Sequence, residues 1–259
     1  DFDLAHTDAG DARGRFIAPE ELVELALAHN CLGLSFTYNE PTIWSEYVLD
    51  ASRLAKEKGI LINLVTNGYI SELAREELFE LTDAFRVDVK GYFPETYQMI
   101  ARIKNPELIR ANIVQAKAKG IWLELITNLI PGVNDEEAEL KALGKWIKDE
   151  LGEETPWHLT RFYPAYQWSH LPPTSVKKME EVFKLAKNLG LKFVYLGNLH
   201  GHQGENTYCP NCGKLLIERR IFGVIQLELK KHSTCPNCGT KIPGHFEKAR
   251  EGVCYDERI

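Results

Sequence analysis

The stretch from Leu32 to Pro41 reads LGLSFTYNEP and changes character halfway along. An apolar run from Leu32 to Phe36 predicts a buried strand, and four polar residues then precede Pro41, which suits the first turn of a helix. The carboxamide of Asn39 and the carboxylate of Glu40 therefore stand at the end of a predicted strand. Parallel α/β proteins place their chemistry at the carboxyl ends of strands, so this position favours a ligand site.

The same alternation of apolar runs and amphipathic segments continues along most of the 259 residues. Strands without polar alternation, separated by helices, are typical of a parallel sheet covered on both faces, so the predicted class is α/β, as a barrel or an open doubly wound sheet. The predicted strands are Leu32–Phe36, Ile60–Val65, Phe85–Val89, Trp122–Ile130, His158–Phe162 and Phe193–Leu196. The predicted helices are Pro19–His29, Thr42–Lys58, Ser71–Leu81, Pro106–Lys119, Asp135–Glu150 and Val176–Leu189.

Polar residues also stand at the ends of the later strands. Asp88 and Lys90 flank Val89, so we expect both side chains on one side, as an ion pair or as ligand contacts. Each position alone has an ordinary structural explanation, but their occurrence at successive strand ends favours a binding site. Together they suit a zwitterion joined to a nucleoside. The candidate contacts are Tyr38, Asn39, Glu40, Asn67, Asp88, Lys90, Asn128, Arg161 and Tyr163.

Two near-identical CPNCG segments begin at Cys209 and Cys235. Four thiolates at this spacing predict a closed tetrahedral Zn²⁺ site in a small ribbon, with iron as the alternative metal. The predicted ligands are Cys209, Cys212, Cys235 and Cys238, and the predicted ribbon strands are Leu215–Ile217 and Val224–Leu229. Because a closed four-sulfur site has no open position, its expected role is structural. Paired cysteines without an export signal also predict a reducing, cytoplasmic location.

Composition narrows the class of partner. Hydrophobic residues make up 44% of the chain and charged residues 26%, as in ordinary globular proteins. No apolar stretch approaches the roughly 20 residues of a membrane helix, so no membrane partner is expected. The net charge of −6 argues against nucleic acid as a partner, although basic residues near the ribbon keep that alternative open.

Taken in order, the strand-end motifs resemble those of the radical S-adenosylmethionine superfamily, especially enzymes like pyruvate formate-lyase activating enzyme and the radical enzyme of the AmmeMemoRadiSam group. Tyr38-Asn39-Glu40-Pro41 is similar to the Gly-Gly-Glu-Pro loop that holds the methionyl ammonium, with both glycines replaced. Thr66-Asn67-Gly68 and Asp88-Val89-Lys90 are similar to the family's TNG and Asp-Leu-Lys elements, and Ile130-Pro131-Gly132 to its loop near the adenine. Tyr163 stands roughly where activating enzymes use a histidine.

The resemblance implies a partial (β/α) barrel over residues 1–200 and a zinc ribbon with its tail over residues 201–259. It implies that the candidate contacts bind S-adenosylmethionine, which is reductively cleaved at a [4Fe–4S] cluster to a 5′-deoxyadenosyl radical for hydrogen abstraction. The implied enzyme is an oxidoreductase that activates or modifies a substrate, and a protein is among the candidate substrates. Its implied reductant is of the flavodoxin or ferredoxin type.

The family's cluster ligands, three cysteines spaced C-x3-C-x2-C, do not occur in these residues. Asp1-Phe2-Asp3-Leu4 resembles the residues that follow the third cysteine, so the ligands are expected upstream of Asp1 and the residues given are not expected to cleave the cofactor alone. No catalytic residue is identified, and His200 and His202 are secondary candidates. The alternatives are a non-catalytic scaffold whose ribbon binds protein or nucleic acid, and a barrel lyase with Lys90 as its Schiff-base amine.

Overall fold

A computed structural model of the protein describes residues 15–220, 223–230, 232–244 and 246. The predicted resemblance at Asp1 to Leu4 lies outside these residues. The α-helices are α1 Pro19–Ala28, α2 Ser45–Glu57, α3 Glu72–Leu81, α4 Pro94–Ala101, α5 Glu107–Ala118, α6 Glu137–Trp146 and α7 Val176–Asn188. The strands are β1 Gly33–Phe36, β2 Leu61–Thr66, β3 Ala84–Asp88, β4 Trp122–Leu129, β5 Trp157–Arg161, β6 Val194–Gly197, β7 Thr207–Tyr208, β8 Leu215–Arg220 and β9 Gly223–Leu227.

Strands β1 to β6 follow one another in chain order in a six-stranded sheet, and the register of their pairs is parallel. This confirms the predicted α/β class. Among the described residues, the chain divides into a first unit, residues 15–87 and 108–122, and a second unit, residues 88–107 and 123–246 with the gaps given above. The predicted boundary between residues 200 and 201 stays a prediction.

The first unit pairs β1, β2 and β3 and packs helices against one face of them. In β2, Ile62 and Leu64 are buried, Asn63 and Val65 are half-buried and Leu61 is exposed, so one face of the strand is covered and the other is partly covered. The expectation of strands covered on both faces therefore holds only in part for β2. The apolar run of β2 contains side chains of both faces of the strand. The run alone does not show which face the helices cover.

The second unit contains β4 to β6 and the cysteine-rich segment. Trp157 on β5 is fully buried, and its indole N–H donates a 3.0 Å hydrogen bond to the Thr127 hydroxyl on β4. β7, β8 and β9 form a separate antiparallel sheet. Its small core includes Phe193, which precedes β6, together with Leu216, Ile217 and two of the cysteines. The ribbon thus shares its apolar core with the end of the α/β part of this unit.

Several predicted elements differ from the observed ones. The predicted helix Thr42–Lys58 begins as a 3₁₀ turn, Pro41–Trp44, before α2, and the predicted helix Asp135–Glu150 ends in a π turn, Ile147–Leu151, after α6. Helix α4 was not predicted, because its eight residues are too few for a clear apolar period. No helix in the part of the chain that the structure describes combines the length and apolar character needed to cross a bilayer.

Candidate functional site

In the first unit, the Glu40 carboxylate joins the loop after β1 to the end of β2. Its Oε1 accepts hydrogen bonds from the Thr66 hydroxyl (2.6 Å), the Thr42 hydroxyl (3.0 Å) and the Thr42 main-chain N–H (3.3 Å). Its Oε2 accepts one from the main-chain N–H of Asn67 (2.7 Å). The structure therefore brings together Glu40 and Asn67, two residues that the sequence placed at the ends of different strands.

The turn after β2 is fixed from a second side by Asn112 on α5, which is fully buried. Its amide donates to the carbonyls of Gly68 (3.0 Å) and Ile70 (2.8 Å), and its oxygen accepts from the Arg75 guanidinium (3.2 Å). Gly68 has a positive φ of 76°, the left-handed conformation that glycine adopts without strain. The sequence analysis did not identify Asn112. Its only signal in the sequence is that an amide stands on the otherwise apolar face of a helix.

The hydrogen bonds that Glu40 accepts show whether a methionyl ammonium could also bind to its carboxylate. A carboxylate has about four acceptor positions, two on each oxygen. Oε1 receives the bonds from Thr42 and Thr66, whereas among the described residues Oε2 receives only that from Asn67. One position on Oε2 is thus open to a further donor, and the neighbouring Tyr38 is 70% exposed. The residues present fit an ammonium group; the Tyr38–Asn39 peptide beside them is cis.

In the second unit, Asp88 and Lys90 form the ion pair that their alternation predicted, with Lys90 Nζ 3.1 Å from Asp88 Oδ2. Their side chains are 41% and 29% exposed, so the pair contributes little to stability and both groups stay accessible. Buried Asn134 fixes the backbone beside them. Its amide donates to the carbonyls of Lys90 (2.7 Å) and Asn128 (2.9 Å), and its oxygen accepts from the Ile130 N–H (2.7 Å).

Arg161 and Tyr163, at the end of β5, contact each other and the end of β6. The Arg161 guanidinium donates to the Tyr163 hydroxyl (3.2 Å) and lies 5.0 Å from the centroid of its ring. It also donates from Nε to the carbonyl of buried Thr174 (2.7 Å). The Tyr163 hydroxyl donates to the Asn198 carbonyl (3.3 Å). Asn128 accepts a 3.4 Å bond from the Thr160 hydroxyl. These contacts give the strand ends a fixed polar surface.

The four predicted ribbon cysteines converge, with all sulfur atoms within 4.8 Å of one another. Cys209 and Cys238 are 3.5 Å apart and Cys212 and Cys235 are 3.7 Å apart, close to the about 3.8 Å between sulfurs of a tetrahedral zinc site. Burial raises the pKa of the Cys209 thiol to about 11, whereas a hydrogen bond with the Thr240 hydroxyl lowers the pKa of Cys238 to about 5. The donor set fits a tetrahedral metal ion.

The two secondary histidine candidates have different surroundings. His202 Nε2 lies 3.3 Å from the Glu180 carboxylate, and its Nδ1 accepts from the Gly204 N–H (2.9 Å). His200 is exposed. The contacts of His202 close a local turn and pin it to α7, which is a structural role.

A family model of the radical SAM superfamily matches residues 6–143, more than half of the chain. The protein belongs to the radical SAM superfamily. Membership implies S-adenosylmethionine and an iron–sulfur cluster. Outside the ribbon, the only cysteines in these residues are Cys31 and Cys254. They do not amount to a three-thiolate set, so the residues present do not fit a cluster.

The superfamily relatives include activating enzymes. An uncharacterised protein of Methanocaldococcus jannaschii is 42% identical over 231 residues, 88% of this chain and 68% of that protein. A putative glycyl-radical enzyme activating enzyme of the same organism is 30% identical over 159 residues, 57% of this chain and 63% of that enzyme. The chain thus spans about two thirds of these relatives. A domain of a pyruvate-formate lyase-activating enzyme from Bacteroides vulgatus has the same fold, with a TM-score of 0.56 and 19% identity over 64% of this chain and 99% of that domain.

Proposed function

We propose that this radical SAM enzyme binds S-adenosylmethionine at its strand ends and acts on a protein substrate. The observation that carries the proposal is the Glu40 carboxylate, which accepts four hydrogen bonds from described residues and has one acceptor position on Oε2 that none of them fills. That position accepts the methionyl ammonium of the cofactor. When bound, S-adenosylmethionine supplies radical chemistry, since its reductive cleavage provides a 5′-deoxyadenosyl radical for hydrogen abstraction.

The chain's own residues bind and orient the cofactor in this proposal. In the first unit, the loop residues Tyr38 and Asn39 and the side-chain oxygen of Asn67 contact the ammonium. In the second unit, the ammonium of Lys90 suits a carboxylate and the carboxylate of Asp88 suits hydroxyl groups. These two residues, with Asn128, Arg161 and Tyr163, stay contacts that the sequence predicts. Charged groups suit these roles because bonds to ions are stronger than neutral ones.

The relatives support the finer parts of the proposal. Enzymes named as activating enzymes of glycyl-radical proteins act on a protein, so we assign a protein substrate, oxidoreductase chemistry and a flavodoxin- or ferredoxin-type reductant. The ribbon, within the proposed domain of residues 201–259, holds structural zinc. A closed four-sulfur site supports a structural role for the metal, because it offers no position for catalysis.

Calorimetric titration of S-adenosylmethionine into the protein tests the binding role of Glu40. Glu40→Gln keeps the size of the side chain but removes its charge, so affinity should fall about 10- to 100-fold. Glu46→Gln, which changes an exposed carboxylate in the first turn of α2, is the matched control and should bind as the wild type does. Unchanged affinity in a folded Glu40→Gln protein would contradict the proposal.

A further inference from the structure

Below the strand ends of the second unit lies another level of polar side chains on the same face of β4, β5 and β6. The register aligns Asn128 with Thr160, and it aligns Ile126 with His158 and His158 with Tyr195. Alternate residues of a strand share a face, so His158 lies on the side of Thr160, about 7 Å nearer the amino end. None of the residues proposed to bind cofactor belongs to this lower level.

Glu124 lies on the same face of β4, two residues before Ile126, and its side chain reaches His158. His158 Nε2 lies 2.8 Å from Glu124 Oε2, and the two side chains are 28% and 34% exposed. An ionised carboxylate only accepts hydrogen bonds, so Nε2 carries the proton that joins the pair. The other nitrogen of His158, Nδ1, has no hydrogen-bond partner within the described ranges. In the neutral ring it therefore presents an open lone pair.

The orientation of His158 is fixed by a chain of contacts that reaches the ribbon. Its ring stacks on that of Tyr195, with centroids 4.9 Å apart and planes 23° apart. The Tyr195 hydroxyl is hydrogen-bonded to Thr207 (3.1 Å), and the Arg219 guanidinium lies 5.4 Å from the Tyr195 centroid. Arg219 in turn donates to the Thr207 hydroxyl (2.8 Å) and the Glu205 carbonyl (3.1 Å). The side chains of an ordinary surface ion pair are not fixed by further contacts in this way. The entropy lost in ordering both side chains offsets most of the favourable Coulomb energy of such a pair.

We propose that Glu124 and His158 form a binding site for a hydrogen-bond donor, a peptide N–H or a hydroxyl, on the molecule that the enzyme acts on. Nδ1 of His158 accepts that bond, Glu124 fixes the tautomer, and Tyr195 and Arg219 are positioning residues. The site rests on the proposed function, since it takes the substrate and not the cofactor. It also gives the ribbon a role, because Arg219 belongs to β8.

The reaction of the metal-loaded protein with diethyl pyrocarbonate, mapped on each histidine by peptide mass spectrometry at alkaline pH, tests this site. The reagent acylates an accessible, unprotonated imidazole nitrogen. His158 should react several-fold faster than exposed His200 in the same sample, and N-acetylglycinamide, a carrier of peptide N–H groups, should slow the reaction at His158 alone. If His158 reacts no faster than His200, or N-acetylglycinamide gives no selective protection, the inference is overturned.

Variants separate the roles within the site. Glu124→Gln should slow the reaction at His158 several-fold, whereas Glu180→Gln, which removes the partner of His202, should not. Arg219→Ala should also slow it, Arg219→Lys should restore most of the rate by keeping a cation near Tyr195, and Arg220→Ala is the matched control. If Glu124→Gln and Arg219→Ala leave the rate at His158 unchanged, the pair is an ordinary surface contact and the inference is overturned. The reagent needs no cofactor, so calorimetry with S-adenosylmethionine on wild-type protein reports failure of the proposed function separately.

Discussion

The hydroxyl of Thr66 donates a 2.6 Å hydrogen bond to Oε1 of Glu40 and so joins the end of β2 to the loop after β1. Thr66 is only 3% exposed, and its oxygen also accepts from the Gly68 N–H (3.0 Å). The position of the Glu40 carboxylate therefore depends on the neighbouring strand. Two motifs that are 26 residues apart in the sequence form one site.

Replacing Thr66 with Val keeps the shape of the side chain and removes both hydrogen bonds. We expect a loss of about 1–3 kcal/mol in the free energy of unfolding, since buried acceptors and donors lose their partner, and weaker binding of S-adenosylmethionine. Thr127→Val is the control, because it removes a buried hydroxyl bonded to Trp157 and should lower stability without changing affinity. Denaturant unfolding and calorimetry measure both effects. Wild-type affinity in Thr66→Val would show that Glu40 needs no support from β2.

Substitution of Gly68 by Ala should be far more damaging than the same change at Gly59. Both glycines have positive φ, 76° and 71°. A Cβ on Gly68 would lie 2.8 Å from Val87 and 3.1 Å from Ile109, whereas one on Gly59 would meet nothing within 4 Å. We expect losses of about 2–5 kcal/mol at Gly68 and about 1–2 kcal/mol at Gly59. Equal losses in denaturant unfolding would mean that the turn after β2 packs more loosely than described.

Asn134→Asp should destabilise the protein by about 2–4 kcal/mol, although the two side chains have the same shape. The amide that donates to the carbonyls of Lys90 and Asn128 becomes an oxygen that repels them. Asn105→Asp is the control. Within the part of the chain that the structure describes, the Asn105 side chain accepts one bond, from the Glu107 N–H, and Asp retains that function. If both variants unfold at the same denaturant concentration, the Asn134 amide does not hold the strand ends.

Cys212→Ser should abolish metal binding by the ribbon. The wild-type protein should contain about one zinc per chain by elemental analysis, bound by four thiolates. The variant should lose nearly all of it, and trypsin should then cleave within residues 207–244, because a small metal domain folds with its ion. Cys31→Ser, outside the ribbon, should keep the metal. Iron in place of zinc would overturn the zinc assignment, and unchanged metal content in Cys212→Ser would overturn the ligand set.

Much of the fold could be predicted from apolar runs and from the glycine and proline residues that bound them. The six predicted strands match β1 to β6 to within one residue at every end, because buried parallel strands read as continuous apolar segments. The cysteine spacing likewise indicated the four-sulfur cluster. The ion pair of Asp88 and Lys90 followed from their alternation. Each of these features depends on residues that are close together in the sequence, so the sequence alone predicts it.

Polar contacts between residues far apart in the sequence could not be predicted from the sequence. Asn112 bonds to Gly68, 44 residues away, and Asn134 bonds to Lys90, also 44 residues away. The only signal at Asn112 is its place on the apolar face of a helix, and nothing next to Asn134 distinguishes it from a solvated loop residue. The pairing of His158 with Glu124 was missed for the same reason, since neighbouring strands bring together residues 34 positions apart. Such contacts depend on the register of the sheet, which only the three-dimensional structure supplies.

The most direct test of this proposal is a crystal structure of the protein with S-adenosylmethionine bound. The account predicts the methionyl nitrogen within about 3.2 Å of Oε2 of Glu40, with the Thr66 and Asn67 bonds to that carboxylate intact. Well-ordered cofactor whose ammonium group lies away from Glu40 would contradict it.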